Sequence, residues 1–584
     1  MVSESALTNI INHQLSVIYG GIEIQYSLQC LGEKVLAAMR LEGLEVAPEP
    51  YSNNWSEKDS ILITYGDSIE QSNDKKTLEP PLETLNRFLN TRVKDSFSSV
   101  HVLPFYPYSS DDGFSVINYV SVNESLGGWE HISSLSERYK VMADLVINHC
   151  SSRSVWFDQF LKNKPPGNRY FKTSDPDNDL SKVVRPRTND LLRETETEAG
   201  VKYVWCTFSH DQVDFDFSNP DVLLEFVKII RLYLDKGISI FRLDAVAFLW
   251  KQEGTDCINL KQTHEVIRLL RTIIEHASPD AVIITETNIP TQQNLSYFGN
   301  ANEAHCIYNF SLPPLLVNTL VNGDCSYLKQ WLMSMPPSQE GTAYFNFIAS
   351  HDGIGLRPVE GLLSDTELNQ LIGTMKRFGG LISMRANADG SSTPYEINIA
   401  LFDALQGTHK GPDKWQLHRY LCAHAIMFSL EGIPGVYIHS LLGTQNDYLR
   451  VENTSRNRSI NRHRWNEAEL LERLAEPHSH HSKVFNGLTR LLKIRSKQKA
   501  FHPNATQFTL QLGSNLFGFW RQSKDRKQSI FCIYNITDVD RTVALSELNL
   551  IQSQDWTDLI AGKAIENING YLSLAPYQGV WLSN

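Results

Sequence analysis

Paired-cysteine motifs are missing from this 584-residue chain. Its eight cysteines stand at 30, 150, 206, 257, 306, 325, 422 and 532, with no CxxC among them. That scatter excludes a disulfide framework and predicts free core thiols in a reducing compartment, hence the cytoplasm. No HExxH helix, paired-thiolate spacing or EF-hand loop occurs, so neither a metal nor a cofactor is expected. No apolar run reaches the ~18–20 residues that span a bilayer, so no membrane partner is expected. The amino terminus, MVSESALTNIINHQ, lacks a basic start followed by an apolar core, and no secretory signal peptide is expected. Positive charge is in deficit: 54 Lys plus Arg against 66 Asp plus Glu leave a formal charge of −12. A nucleic-acid partner, which calls for a basic face, is therefore not expected. Gly (33) and Pro (24) are ordinary for the length, which rules out collagen-like and low-complexity chains. With 41% apolar and 21% charged residues, the composition is globular.

What is present is an alternation. ILITYGD (61–67), SVHVLPFY (99–106), YKVMADLVINH (139–149), ISIFRLDAV (238–246), AVIITETN (281–288), YFNFIASHD (344–352) and GIPGVYIHS (432–440) are continuous apolar runs. Such runs suit strands of a parallel sheet covered on both faces. Helical segments separate them. Asn219-Pro220 is a helix start with Gly237 as its stop, and Val266, Leu269, Leu270, Ile273 and Ile274 mark one buried helix face. Strand and helix alternating over more than 350 residues predict a (β/α)₈ barrel or a doubly wound sheet. The lack of GxGxxG after an early strand weighs against the dinucleotide-binding version.

The expected organisation is a helical extension over 1–55, a barrel over 56–149, 219–352 and 416–495, and loop-rich insertions over 150–218 and 353–415. These insertions follow the third and seventh strands. An antiparallel β-sandwich is expected over 496–584, where FTLQLGSNLFGFW, QSIFCIYNI and YLSLAPYQGVWL read as short strands. Insertions at strand ends commonly shape a site on the carboxyl-terminal face of a barrel.

Ionisable residues gather at those ends. Asp144, Asn148 and His149 lie in DLVINH, Arg242 and Asp244 in FRLDAVAF, Glu286 closes IITE, and His351 and Asp352 close FIASHD. One carboxylate at a strand end is a solvated terminus; several in succession are a site, because unpaired carboxylates are costly to bury. Three carboxylates with two histidines and an arginine fit retaining glycosyl transfer, in which one carboxylate attacks the anomeric carbon and a second, protonated, serves the leaving oxygen. Arg242, two residues from Asp244, shares its strand face and is expected to hold it ionised. His149 and His351 are expected to donate hydrogen bonds to sugar hydroxyls.

DLVINH, FRLDAVAF, ITETN and FIASHD resemble, in order, the four sequence regions of the α-amylase superfamily, glycoside hydrolase family 13. The resemblance implies Asp244 as nucleophile, Glu286 as general acid/base and Asp352 as transition-state stabiliser. HVLPFYPYSSDDGFSVINY, TFSHDQVDFD, GTDC and NRSINRH resemble more narrowly the sucrose phosphorylase subfamily, which includes phosphorylases of glucosylglycerate, glucosylglycerol and sucrose 6′-phosphate. It implies a donor pocket in which Asp111 and Arg458 clamp glucose hydroxyls, Asp111 pairs with Arg458, Phe114 stacks on the ring and Gln212 also contacts substrate. Its partners would be a small sugar substrate and inorganic phosphate. Phosphate needs a cation beside Glu286. VVRPRT offers Arg185 and Arg187, and the resemblance favours Arg187 together with Tyr395.

The match departs on the acceptor side. Sucrose-specific members carry His two residues after the acid/base, where this chain has Asn288, and Asp-Leu-Tyr-Gln where it has TPYE, Thr393 to Glu396. RPVEGLL (357–363) and SLLGTQND (440–447) look closer to the glucosylglycerate and glucosylglycerol branch. Glu396 is expected to accept hydrogen bonds from acceptor hydroxyls, and to turn away or pair with an arginine when phosphate enters. It would repel a glycerate carboxylate unless Arg357 or Arg187 screens it. The leading expectation is reversible phosphorolysis of sucrose or a closely related α-glucoside to α-glucose 1-phosphate. Alternatives are glucosylglycerol or glucosylglycerate phosphorolysis, a hydrolase or transglucosidase, and a non-catalytic amylase-like subunit. The sequence leaves the oligomeric state open.

Overall fold

A computed structural model describes residues 6–44, 55–71, 79–387, 390–548, 555–566 and 570–584. Eight parallel strands close into a barrel in chain order: β1 (Ile61–Thr64), β2 (Ser99–Val102), β3 (Lys140–Val146), β4 (Ile238–Asp244), β5 (Val282–Thr285), β6 (Cys306–Tyr308), β7 (Ala343–Asn346) and β8 (Ile433–Tyr437). Residues on both faces of these strands are buried, as a sheet with helices outside and packed side chains inside requires. Sequence periodicity marks seven of the eight. The missed one, β6, is three residues long within AHCIYNF, too short to show a pattern.

The helix signals are realised. Asn219 caps helix Pro220–Asp235 by accepting from the Asp221 N–H at 3.0 Å, and Gly237 breaks it at φ +91°. Helix Lys261–Ala277 buries Val266, Leu269, Leu270, Ile273 and Ile274. Two amino-terminal helices, Ala6–Tyr19 and Leu28–Met39, lie against these two helices. Gln14 donates to Thr272 at 3.0 Å, Tyr26 to Asp221 at 2.7 Å, and Arg40 pairs with Asp235 at 3.1 Å.

Both expected loop-rich stretches contain regular structure. The first holds helix Val155–Leu161 and the hairpin Leu192–Thr197/Gly200–Trp205. It is joined to the barrel by pairing of His149–Ser151 with Gln212–Asp214. Beneath that pairing the Lys251 ammonium, fully sequestered, reaches Asn148 Oδ1 at 2.6 Å and Asp214 at 3.0 Å. The second holds helix Asp365–Arg377 and a three-stranded antiparallel sheet built from Ile354–Gly355, Ser392–Asn398 and Leu381–Ala386. Beyond residue 500, a six-stranded sheet and the pair Arg541–Ala544/Tyr571–Leu574 enclose an apolar layer of Phe531, Ile533, Val543, Leu574, Val580 and Leu582. Among the described residues no helix is long and apolar enough to cross a membrane.

Candidate active site

The carboxyl ends of β3, β4 and β5 meet at Arg242. The register sets it beside Asp144 on one side and Ile284 on the other. The guanidinium, only 1% exposed, donates to Asp144 and, at 2.7 Å, to Asp244, while Glu286 Oε1 stands 3.9 Å away. Residues 242 and 244 share a strand face, so the arginine and the second carboxylate come together without any loop geometry. Asp144 is also bound by His101 Nε2 at 2.7 Å, a partner from β2 that the sequence reading did not single out. Burial alone would raise the pKa of Asp144; Arg242 and His101 overrule it and hold the carboxylate below its usual range.

Three further carboxylates differ in charge environment. Glu286 lies one residue past β5, and the N–H of Ala245 donates to its Oε2 at 3.1 Å. Ala245 achieves this from a left-handed conformation, φ 51°, unusual for a residue with a Cβ and typical of strain held at a site. Burial, reinforced by neighbouring Asp352, raises the pKa of Glu286 against the pull of Arg242. Burial also raises Asp244, with Glu286, Asp144 and Asp352 adding to the effect and Arg242 opposing it. Burial thus works against ionisation of both Asp244 and Glu286. Arg242 lies closer to Asp244 than to Glu286, 2.7 against 3.9 Å, so its pull toward the ionised form is stronger on Asp244. Asp352 goes the other way: Arg458, Arg462 and Arg242 outweigh its burial and keep it below the carboxylate norm. His351 and Asp352 lie five and six residues past the end of β7, on the following loop rather than on the strand.

Of the sequence-predicted site residues, Asp111, Phe114, His149, Arg187, Gln212, Asp244, Glu286, His351, Asp352, Tyr395 and Arg458 line one pocket at this face of the barrel, while Asp144, Asn148, Arg185, Arg242 and Glu396 do not. Phe114 stacks on the His351 ring at 4.9 Å and 6°. Burial and the guanidiniums of Arg242 and Arg462 hold His351 well below the histidine norm, hence neutral. His149 is also neutral, for burial lowers it, and its Nε2 faces the Phe114 carbonyl at 3.1 Å. His149 lines the pocket, and in this structure that nitrogen is engaged with the Phe114 carbonyl. Gln212 directs its amide to the Phe114 carbonyl at 3.3 Å and to Asp111 at 3.4 Å.

The expected Asp111–Arg458 pair is not formed. Arg458 pairs with Asp352 at 2.5 Å and, through two parallel contacts of 2.8 and 3.0 Å, with Glu396. Asp111 faces Arg456 at 3.7 Å and Arg462 at 3.8 Å instead. Arg462, missed in the sequence although it sits in NRSINRH, pairs with Asp112 at 2.7 Å and donates to the His351 carbonyl at 2.8 Å. Asp111 and Asp112 have φ of 56° and 47°, and Gly113 follows at 112°, where a Cβ would lie 2.6 Å from the Pro104 carbonyl. Glu396, expected either to reach acceptor hydroxyls or to pair with an arginine, is 1% exposed, pairs with Arg458 and does not line the pocket.

The opposite wall carries Arg187, Tyr395, Asn288 and Arg357. Arg187 lies over Tyr395 at 5.1 Å and Phe208 at 5.8 Å, and its carbonyl accepts from Ala386 at 3.4 Å, joining the two insertions. Asn288 donates to the Tyr395 hydroxyl at 3.4 Å. Arg357 has a buried Nε with no partner, and burial draws its pKa down. Among the described residues neither Arg187 nor Arg357 forms a carboxylate ion pair. Among the same residues no cluster of ligating side chains fits a metal ion.

Comparison with known proteins accords with this geometry. The model "Alpha amylase, catalytic domain" matches residues 95–355. Glucosylglycerate phosphorylase of Allomeiothermus silvanus is 42% identical over 530 residues, 90% of this chain and 91% of that protein. The Escherichia coli protein of the same name is 38% identical, over 98% of this chain and 99% of its own. The crystal structure of sucrose 6F-phosphate phosphorylase from Thermoanaerobacter thermosaccharolyticum superposes with a TM-score of 0.70 at 26% identity, covering 82% of this chain and 94% of that one. The chain belongs to glycoside hydrolase family 13 and, within it, to the sucrose phosphorylase group of α-glucoside phosphorylases.

Proposed function

We propose that the enzyme phosphorolyses an α-glucoside of glycerate, giving α-glucose 1-phosphate and glycerate. Asp244 attacks the anomeric carbon as the bond to the glycerate oxygen breaks, and the proton of Glu286 passes to that oxygen. Phosphate then attacks the same carbon, Asp244 leaves, and the phosphate proton returns to Glu286. Two inversions give retention. The raised pKa of Glu286 supports its starting protonated, and the short Arg242 contact supports Asp244 starting ionised. Asp352, kept ionised by its arginines, is placed to bind hydroxyls of the distorted sugar. Phe114, Asp111, Gln212, His351 and Arg458 form the glucose side of the pocket, and Arg187, Tyr395, Asn288 and Arg357 the acceptor side. The small sugar and phosphate would meet in the cytoplasm.

The observation that carries glycerate over fructose or glycerol is the pair of arginines without carboxylate partners. Both guanidiniums are half-buried and without a carboxylate partner among the described residues, so part of their hydration is lost with no opposite charge in return, and a neutral acceptor would leave both so. Glycerate presents a carboxylate to them, and phosphate presents an anion to the same place once glycerate has left. The names borne by the relatives point the same way. The test is Arg357→Gln. The Michaelis constant for glycerate in the synthetic direction should rise roughly 10- to 100-fold, the loss of one charged hydrogen bond, while that for glycerol falls or holds. An equal change for both acceptors would contradict the assignment.

A further inference from the structure

We infer that Glu396 is a positioning residue that fixes the donor-side arginine, Arg458, so that the second insertion governs glucose binding as well as the acceptor. This rests on the reading of Arg458 and Asp352 as the glucose side of the pocket. Five N–H groups are available on a guanidinium. In Arg458, Nε and one N–H of Nη2 go to the two oxygens of Glu396, at 3.0 and 2.8 Å, and Nη1 lies 2.5 Å from Asp352 Oδ1. A fork held along one edge by a bidentate carboxylate has little rotational freedom, and the N–H groups left over are aimed by that edge. Glu396 is itself fixed, since Asn398 donates to its Oε2 at 2.8 Å.

The backbone makes the same unit rigid. Gly355 pairs with Glu396 and Ile354 with Ile397 immediately after Asp352. At Gly353 an added Cβ would fall 2.5 Å from Glu396 Cγ, from Asn398 Nδ2 and from the Ile397 carbonyl. No side chain fits there, so the loop bearing Asp352 rests directly on the strand bearing Glu396. Tyr395, the preceding residue, is turned to the opposite side and lines the pocket, as alternation along a strand demands. Neighbouring residues of one strand thus face the acceptor and brace the donor arginine.

Glutamine at 396 offers one acceptor oxygen and no charge. Arg458 would then be balanced by Asp352 alone, drawing on the carboxylate placed to bind sugar hydroxyls, and would be free to swing toward Asp111. In Glu396→Gln the Michaelis constants for α-glucose 1-phosphate and for the glucoside should both rise roughly 10- to 100-fold. Phosphorolysis and hydrolysis should lose kcat/KM by the same factor, and the Michaelis constant for phosphate should stay within about twofold. Glu396→Asp, which keeps the charge on a shorter arm, should fall between. A double-mutant cycle with Arg458→Lys should be strongly non-additive, because both changes break one contact. A change confined to phosphate or free acceptor, or an additive cycle, would overturn the inference. If Arg458→Lys alone leaves donor binding untouched, the donor-pocket reading itself fails, a result distinct from normal donor binding in Glu396→Gln beside a damaged Arg458→Lys.

Discussion

Arg242 Nη1 lies 2.7 Å from Asp244 Oδ1 and its Nη2 lies 3.9 Å from Glu286 Oε1. This asymmetry sets the positive charge nearer one of two buried carboxyls that share one environment. It makes Asp244 the nucleophile candidate: Asp244→Ala should lower turnover on the order of 10⁴-fold or more, since covalent catalysis is lost. Steady-state phosphorolysis measures it, and a variant within tenfold of the parent would remove Asp244 from that role.

Glu286 is raised by burial and by Asp352, so its proton is present below its folded-state pKa and lost as pH climbs through it. The alkaline limb of kcat/KM should therefore lie above the usual carboxylate range. Glu286→Gln should abolish that limb and abolish turnover of glucosides with poor leaving groups. In pre-steady-state experiments, activated glucosides should keep most of their glycosylation rate. An unchanged alkaline limb in the variant would assign it to another group.

Arg187 lies against Tyr395 and has no carboxylate partner among the described residues. Arg187→Ala should raise the Michaelis constant for phosphate and spare the hydrolysis of the glucosyl-enzyme. Both rates measured side by side decide it, and equal losses would instead make Arg187 a support of the donor site or the fold.

Lys251 is the sole cation within reach of buried Asp214 among the described residues. Lys251→Met removes that charge and leaves the buried carboxylate only the neutral donors Asn148 and Thr207, a loss of about 3 kcal/mol. Denaturant unfolding should show it, with proteolysis beginning in the first insertion. A variant as stable as the parent would mean that the neutral donors Asn148 and Thr207 suffice for Asp214.

Local signals reached far in this chain. The apolar runs show seven barrel strands because each is a continuous buried segment, and Asn219, Pro220 and Gly237 bound a helix by their own conformational preferences. Asp144, Arg242, Asp244 and Glu286 are legible because ionisable side chains at the ends of apolar strands have few reasons to be there. Pairings across distant segments are not. Glu396 and Arg458 stand 62 residues apart, and nothing in either neighbourhood announces that they meet. The same holds for Asp111, whose cations prove to be Arg456 and Arg462, and for His101, which lies inside an apolar strand and is satisfied only by Asp144 from the adjacent one.

Phosphate release from α-glucose 1-phosphate, followed with glycerate, glycerol, fructose and fructose 6-phosphate as acceptors, tests the central claim most directly. Two arginines without a carboxylate partner among the described residues, on the wall proposed for the acceptor, predict the highest kcat/KM for glycerate, with the neutral acceptors at least tenfold lower, the worth of one charged hydrogen bond. Equal or better use of fructose or glycerol would contradict the account.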